Sequence, residues 1–223
     1  MSRVFDCSDS EQLLSGMRLA RGAIAHGELV VMPTDTVYGV AADAFSPRAV
    51  QRLLDAKGRT RESPPPVLVP SVATLEALAT DIPDAVRRLV DAFWPGGLTI
   101  VLQAQPSLAW DLGETQGTVA VRMPAHPIAR ELLEETGPLA VSSANLTGQP
   151  AASTAQQASA MLGDSVSVYL DGGPAGDVAS TIVDATALAV PGGAITVLRD
   201  GAVSRERLRE VVGDLLASGD DRT

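Results

Sequence analysis

The sequence predicts an α/β fold, layered around one mixed sheet with helices packed on it. Short apolar runs alternate with stretches of helical periodicity from one end to the other, the pattern that stacks helices on a sheet. The later apolar runs follow one another too closely for a helical crossover between each pair, so some neighbouring strands must be antiparallel. No Gly/Ser-rich linker divides the 223 residues, and no internal repeat of about 20 to 50 residues is present. The expected organisation is one domain over residues 1–217 and a frayed tail at 218–223.

Each element follows from a local pattern. Leu13, Met17, Ala20 and Ile24 share one helical face, and Glu28 to Met32 (ELVVM) then reads as a buried strand. Pro47 to Ala56 is helical, with Val50, Leu53 and Leu54 at the i, i+3, i+4 spacing. The run Pro64-Pro65-Pro66 is extended, because proline fixes φ, and Val67 to Val69 is a short strand behind it. Two helices follow, the second marked by Val86, Leu89, Val90 and Phe93. Strands are expected at Leu98 to Leu102, Thr118 to Arg122, Leu139 to Ser142, Val166 to Leu170, Thr181 to Asp184 and Ile195 to Leu198. Helices are expected at Ile128 to Glu135 and Thr154 to Leu162. The last helix starts after a Ser204 N-cap and buries Leu208, Val211, Val212, Leu215 and Leu216.

The chain carries 17 basic and 27 acidic side chains, a formal net charge of −10. That balance argues against a broad surface tracking nucleic-acid phosphates, whose affinity comes from neutralising many of them at once. It leaves room for a small cationic pocket. The single cysteine, Cys7, excludes an internal disulfide and fits a reducing compartment. The N-terminal MSRVFDCSDSEQLL lacks the basic-then-apolar order of a secretory signal, and no apolar run nears the roughly 18 to 20 residues of a membrane helix. A cytoplasmic location is expected. Among the basic residues 16 are Arg and one, Lys57, is Lys. A bias toward Arg codons accounts for the sixteen but not for the exception. A compact ammonium with rotating donors does what a planar guanidinium cannot, so Lys57 is a candidate functional residue.

Polar residues gather directly after apolar strands, where open α/β folds bind ligands. Pro33-Thr34-Asp35-Thr36-Val37-Tyr38-Gly39 follows ELVVM and is either a capped turn or a holder for a small polar ligand. Ala56-Lys57-Gly58-Arg59-Thr60-Arg61 is the densest positive stretch, suited to a helix dipole or to an anion. In Thr118 to Arg122 the strand period puts Thr118, Ala120 and Arg122 on one face. Arg122 there fits a surface salt bridge or a bidentate carboxylate or phosphate contact. Val141 to Gly148 offers Ser143 and Asn145, as ligand contacts or as a helix cap. Ser180-Thr181 and Arg199 are weaker candidates.

The missing motifs narrow the chemistry. There is no GxxxxGK[ST] and no GxGxxG after a strand. His26 and His126 lack metal-site spacing, one cysteine cannot build a zinc site, and no Ser/His pairing is identifiable. Hydroxyls, an amide and several cations remain, an inventory for positioning anions electrostatically, as in phosphoryl and nucleotidyl transfer.

The ordered motifs PTDTVYG, KGR, TVAVRMP, SSAN-x-TG, STIVD and LRDG, between about Gly27 and Gly201, resemble those of the YrdC-like family of threonylcarbamoyl-AMP synthases in its single-domain form. The resemblance implies a twisted, mostly open sheet with a concave, positively charged active-site face. It also implies a reaction in which L-threonine, bicarbonate and ATP, the last with Mg²⁺, give threonylcarbamoyl-AMP and pyrophosphate. A separate transferase complex would use that product to make N6-threonylcarbamoyladenosine in tRNAs reading ANN codons, and direct tRNA binding is not expected. Carried over onto this sequence, Thr36, Arg122, Ser143 and Ser180 would bind threonine. Lys57, Arg59, Thr118, Asn145, Ser153 and Arg199 would bind ATP, with Lys57 and Arg59 catalytic and no protein-held metal. Many members have a Lys and a His where this chain has Ser63 and Leu68; Arg61 is a candidate to replace the missing charge. Those two departures favour the alternative of a divergent paralogue that binds nucleotide or RNA with little synthase activity. A hydrogenase-maturation type of carbamoyl-transfer domain is disfavoured by the lack of zinc-binding Cys motifs.

Overall fold

The computed structural model describes residues 3–218, so the tail at 218–223 lies outside the described residues apart from Ser218. In chain order the strands are β1 (Arg3–Asp6), β2 (Val30–Met32), β3 (Gly39–Asp43), β4 (Val67–Leu68) and β5 (Leu98–Gln103). They continue with β6 (Thr118–Arg122), β7 (Leu139–Ser143), β8 (Val168–Asp171), β9 (Thr181–Asp184) and β10 (Thr196–Arg199). The helices are α1 (Ser10–Ala25), α2 (Pro47–Lys57), α3 (Val72–Leu78), α4 (Asp84–Phe93), α5 (Pro127–Thr136), α6 (Ala155–Leu162) and α7 (Arg205–Val212).

All ten strands join one twisted, open sheet in the order β1-β8-β2-β3-β7-β4-β6-β5-β9-β10. Four pairings are parallel (β1/β8, β2/β8, β4/β6, β5/β9) and five antiparallel (β2/β3, β3/β7, β4/β7, β5/β6, β9/β10), so the sheet is mixed. Helix starts are fixed by side-chain caps: Asp9 accepts from Gln12 N, Ser46 from Ala49 N, Thr154 from Gln157 N, and Ser204 from Arg207 N. α2 stops at Gly58, whose φ of 63° is left-handed, a backbone that favours glycine.

Two halves of the sheet are covered differently, and this places the site. In β2, Val30 and Met32 pack with Met17, Ile24 and Leu132 on one face, while Val31 packs with Leu53 and Leu162 on the other. Helices cover both faces there, which is why ELVVM reads as a continuous apolar run. In β5, Leu98, Ile100 and Leu102 pack with Leu89, Phe93 and Leu208 of α4 and α7. The alternate residues Thr99 and Val101 face a cavity instead. The second half of the sheet is therefore half-buried, with a concave face left open.

Two strands escape the sequence patterns. β1 is a four-residue edge strand with only Val4 and Phe5 apolar. β3 (GVAAD) is built of small residues whose burial comes from packing between β2 and β7 rather than from their own hydrophobicity. Leu215, expected in the core, is 37% exposed beyond the end of α7, whereas Leu216 is buried beside Ile195.

Candidate active site

A cavity of about 320 Å³ lies on the open face. Period-two alternation supplies its floor: Thr99 from β5, Thr118, Ala120 and Arg122 from β6, and Ile182 from β9. Its rim comes from the turn before β3, the segment after α2 with Pro64 to Pro66, and the end of β7. At β10 the register with β9 shifts between Val197 and Arg199, and the irregularity brings both Leu198 and Arg199 to the cavity.

Seven of the ten expected site residues line this one cavity: Thr36, Arg59, Thr118, Arg122, Ser143, Ser180 and Arg199. Arg122 is the most constrained of them, 6% exposed. Its Nη2 donates to Asp35 Oδ1 at 2.8 Å, its Nη1 to Thr36 Oγ1 at 2.9 Å and its Nε to the Gly96 carbonyl at 2.9 Å. Asp35 also accepts from Ala125 N at 2.8 Å, so the carboxylate ties the PTDT turn to the end of β6. Burial lowers the Arg122 pKa, and Asp35 opposes that shift.

The other two guanidiniums form no ion pair among the described residues. Arg59 Nη1 donates to Ser142 Oγ at 3.1 Å. Arg199 Nη2 donates to the Ser180 carbonyl at 2.7 Å and to Ser180 Oγ at 2.9 Å. Burial, then repulsion by Arg122 and Arg59, holds the Arg199 pKa below its ordinary value. Of these three cations, only Arg122 has a carboxylate partner among the described residues, an arrangement suited chemically to an anion.

The structure departs from expectation at three positions. Lys57 is 1% exposed and turned away from the cavity, its ammonium directed at the carbonyls of Ser143 and Asn145. Asn145 is buried with its amide nitrogen committed to Leu146 O and Gln149 O. Ser153 Oγ donates to Gln157 Oε1 at 3.0 Å, at the start of α6 and off the cavity wall. Arg61, the candidate replacement for the missing lysine, instead pairs with Asp111 at 2.6 Å on the exposed surface. Ser63 is exposed, and Leu68 gives the cavity an apolar wall. Sequence reasoning missed Thr99, which is buried and whose Oγ1 lies 2.9 Å from Ser180 Oγ. A threonine among the alternating apolar residues of LTIVLQ was its only signal.

The Sua5/YciO/YrdC family, described as telomere recombination, matches residues 22–201. This chain belongs to that family. Among its relatives, a Mycobacterium tuberculosis (strain ATCC 25618 / H37Rv) protein is 55% identical over 214 residues, 96% of each chain. The threonylcarbamoyl-AMP synthase of Pyrococcus abyssi is 37% identical over 201 residues, 89% of this chain and 58% of that one. The crystal structure of P. abyssi Sua5 complexed with L-threonine superposes with a TM-score of 0.86 at 34% identity, over 96% of this chain and 62% of that one. No helix among the described residues is long and apolar enough to cross a membrane.

Proposed function

We propose that this Sua5/YciO/YrdC chain is a cytoplasmic L-threonylcarbamoyl-AMP synthase. The observation that carries the reading is the presence, in one cavity, of a rigidly held arginine and two arginines that form no ion pair among the described residues. Arg122, beside Thr36, would take the threonine carboxylate, with Ser143 and Ser180 on the amino and hydroxyl groups. Arg59 and Arg199 would take ATP phosphates and Thr118 the nucleoside end. The threonine amine adds to bicarbonate with loss of water, and the new carboxylate attacks the α-phosphorus of ATP as pyrophosphate leaves. Arg59 and Arg199 neutralise the charge that builds on the phosphates. ATP would enter as its Mg²⁺ complex, with the ion held mainly through phosphate oxygens, because Asp35 is committed to Arg122 and Ala125 N. The product would pass to a transferase complex acting on tRNA.

Mass spectrometry of the products from ATP, Mg²⁺, L-threonine and bicarbonate tests this. An AMP adduct carrying the threonylcarbamoyl group is expected. Its absence with folded, ATP-binding protein would support the divergent paralogue, with Leu68 the residue to explain.

A further inference from the structure

Lys57 stands apart in the sequence as the one lysine among 16 arginines, and in the structure as a buried ammonium with no ion pair among the described residues. Its Nζ donates to the Ser143 carbonyl, to the Asn145 carbonyl at 2.6 Å and to Asn145 Oδ1 at 3.3 Å. Its own carbonyl, in the last turn of α2, accepts from Thr147 N at 3.1 Å and from Thr147 Oγ1 at 2.8 Å. The 143–147 turn is thus stitched to the end of α2 from both sides. The same turn carries Ser143 on the cavity wall, and Ser142 beside it receives Arg59.

We infer that Lys57 is a positioning residue for the 143–147 turn, holding Ser143 toward the cavity, and not itself a contact for phosphate. All three ammonium hydrogens already have acceptors in the turn. A planar guanidinium cannot fan three donors toward three converging oxygens, which explains why this position alone keeps lysine. Lys57 sits at 1% exposure behind the wall, so a phosphate in the cavity meets Arg59 and Arg199 first. This inference deepens the synthase reading and rests on it for the identity of the ligands.

The lone lysine also makes the test clean, because ¹⁵Nζ-lysine labelling of the full chain marks a single side chain. Titration with inorganic pyrophosphate is expected to leave that resonance in place while pyrophosphate binds. A shift or broadening that tracks saturation would overturn the inference. Calorimetry on Lys57→Met is expected to show threonine affinity reduced about tenfold or more and pyrophosphate affinity within about twofold, since a small misplacement of a binding group has that scale of effect. Equal losses, the opposite split, or no change in either would overturn it, as would rescue of threonine binding by Lys57→Arg. Without any ligand, the Asn145 and Thr147 amides should exchange faster in Lys57→Met than in wild type, and unchanged protection would count against the role. Wild-type protein that binds pyrophosphate but not threonine would overturn the synthase reading instead, with the lysine resonance and amide exchange still deciding on Lys57.

Discussion

Asp35→Asn isolates the ion pair that holds the buried Arg122 at the cavity. Side-chain exposure is 7% for Arg122 and 20% for Asp35, and the contact is 2.8 Å. The substitution keeps an oxygen for one of the two donors, Arg122 Nη2 and Ala125 N, but leaves the guanidinium of Arg122, a residue 6% exposed, without its counter-charge. Removing one member of a buried pair costs about 3 to 5 kcal/mol, and the retained acceptor puts the expected loss at the low end, about 3 kcal/mol. For a chain of this length that is a fall in Tm of roughly 6 to 12 °C, at about 2 to 4 °C per kcal/mol. Calorimetric or circular-dichroism melting reads it directly. Adding Arg122→Met should recover part of the loss, because the orphaned charge goes with it. A loss under about 1 kcal/mol, the value of an exposed pair, or a double variant less stable than Asp35→Asn alone, would refute the reasoning.

Gly201→Ala should lower turnover strongly, because a Cβ there would meet Ala179 O at 2.4 Å and the Ser180 carbonyl carbon at 2.6 Å, displacing the backbone that carries Ser180; steady-state pyrophosphate release checks it. Arg61→Ala should leave apparent ATP affinity within about twofold, since an exposed pair with Asp111 contributes little, and a larger loss would return Arg61 to the phosphate site. Leu89→Ala, fully buried against the sheet, should cost about 2 to 5 kcal/mol in urea unfolding while sparing substrate affinity. Burial, with repulsion from Arg59, pushes the Lys57 pKa down from 10.5 to about 7. Between those values the unfolded chain binds more protons than the folded one, so the stability of wild type relative to Lys57→Met should rise with pH across that window. Urea midpoints near neutrality and above it test the sign, and a fall with pH contradicts it.

Much of this architecture was legible in the sequence because burial is written in residue periodicity. In β6 the alternation of Thr118, Ala120 and Arg122 with core residues marks the face that lines the cavity, whereas Thr99 in β5 carried too weak a signal to be read. β3 was not legible, since Gly39, Ala41 and Ala42 are buried by neighbouring strands rather than by bulk of their own. The cavity-lining residues were legible where a polar group ends or punctuates a strand, as Arg122 and Ser180 do. Which way a buried polar side chain points was not. Lys57 and Asn145 sit in motifs beside the cavity, yet both turn their polar groups into the 143–149 segment, a choice made by tertiary hydrogen bonds. The bulge before Arg199 is likewise a property of strand pairing and not of the LRDG motif.

The most direct test of the central claim is pyrophosphate release by purified protein with ATP and Mg²⁺, omitting L-threonine or bicarbonate in turn. The account predicts release only when both are present, and its collapse in Arg199→Ala, which removes the cation proposed to meet the phosphates without touching the Arg122–Asp35 pair. Release that ignores threonine, or none at all from folded protein that binds ATP, would contradict it.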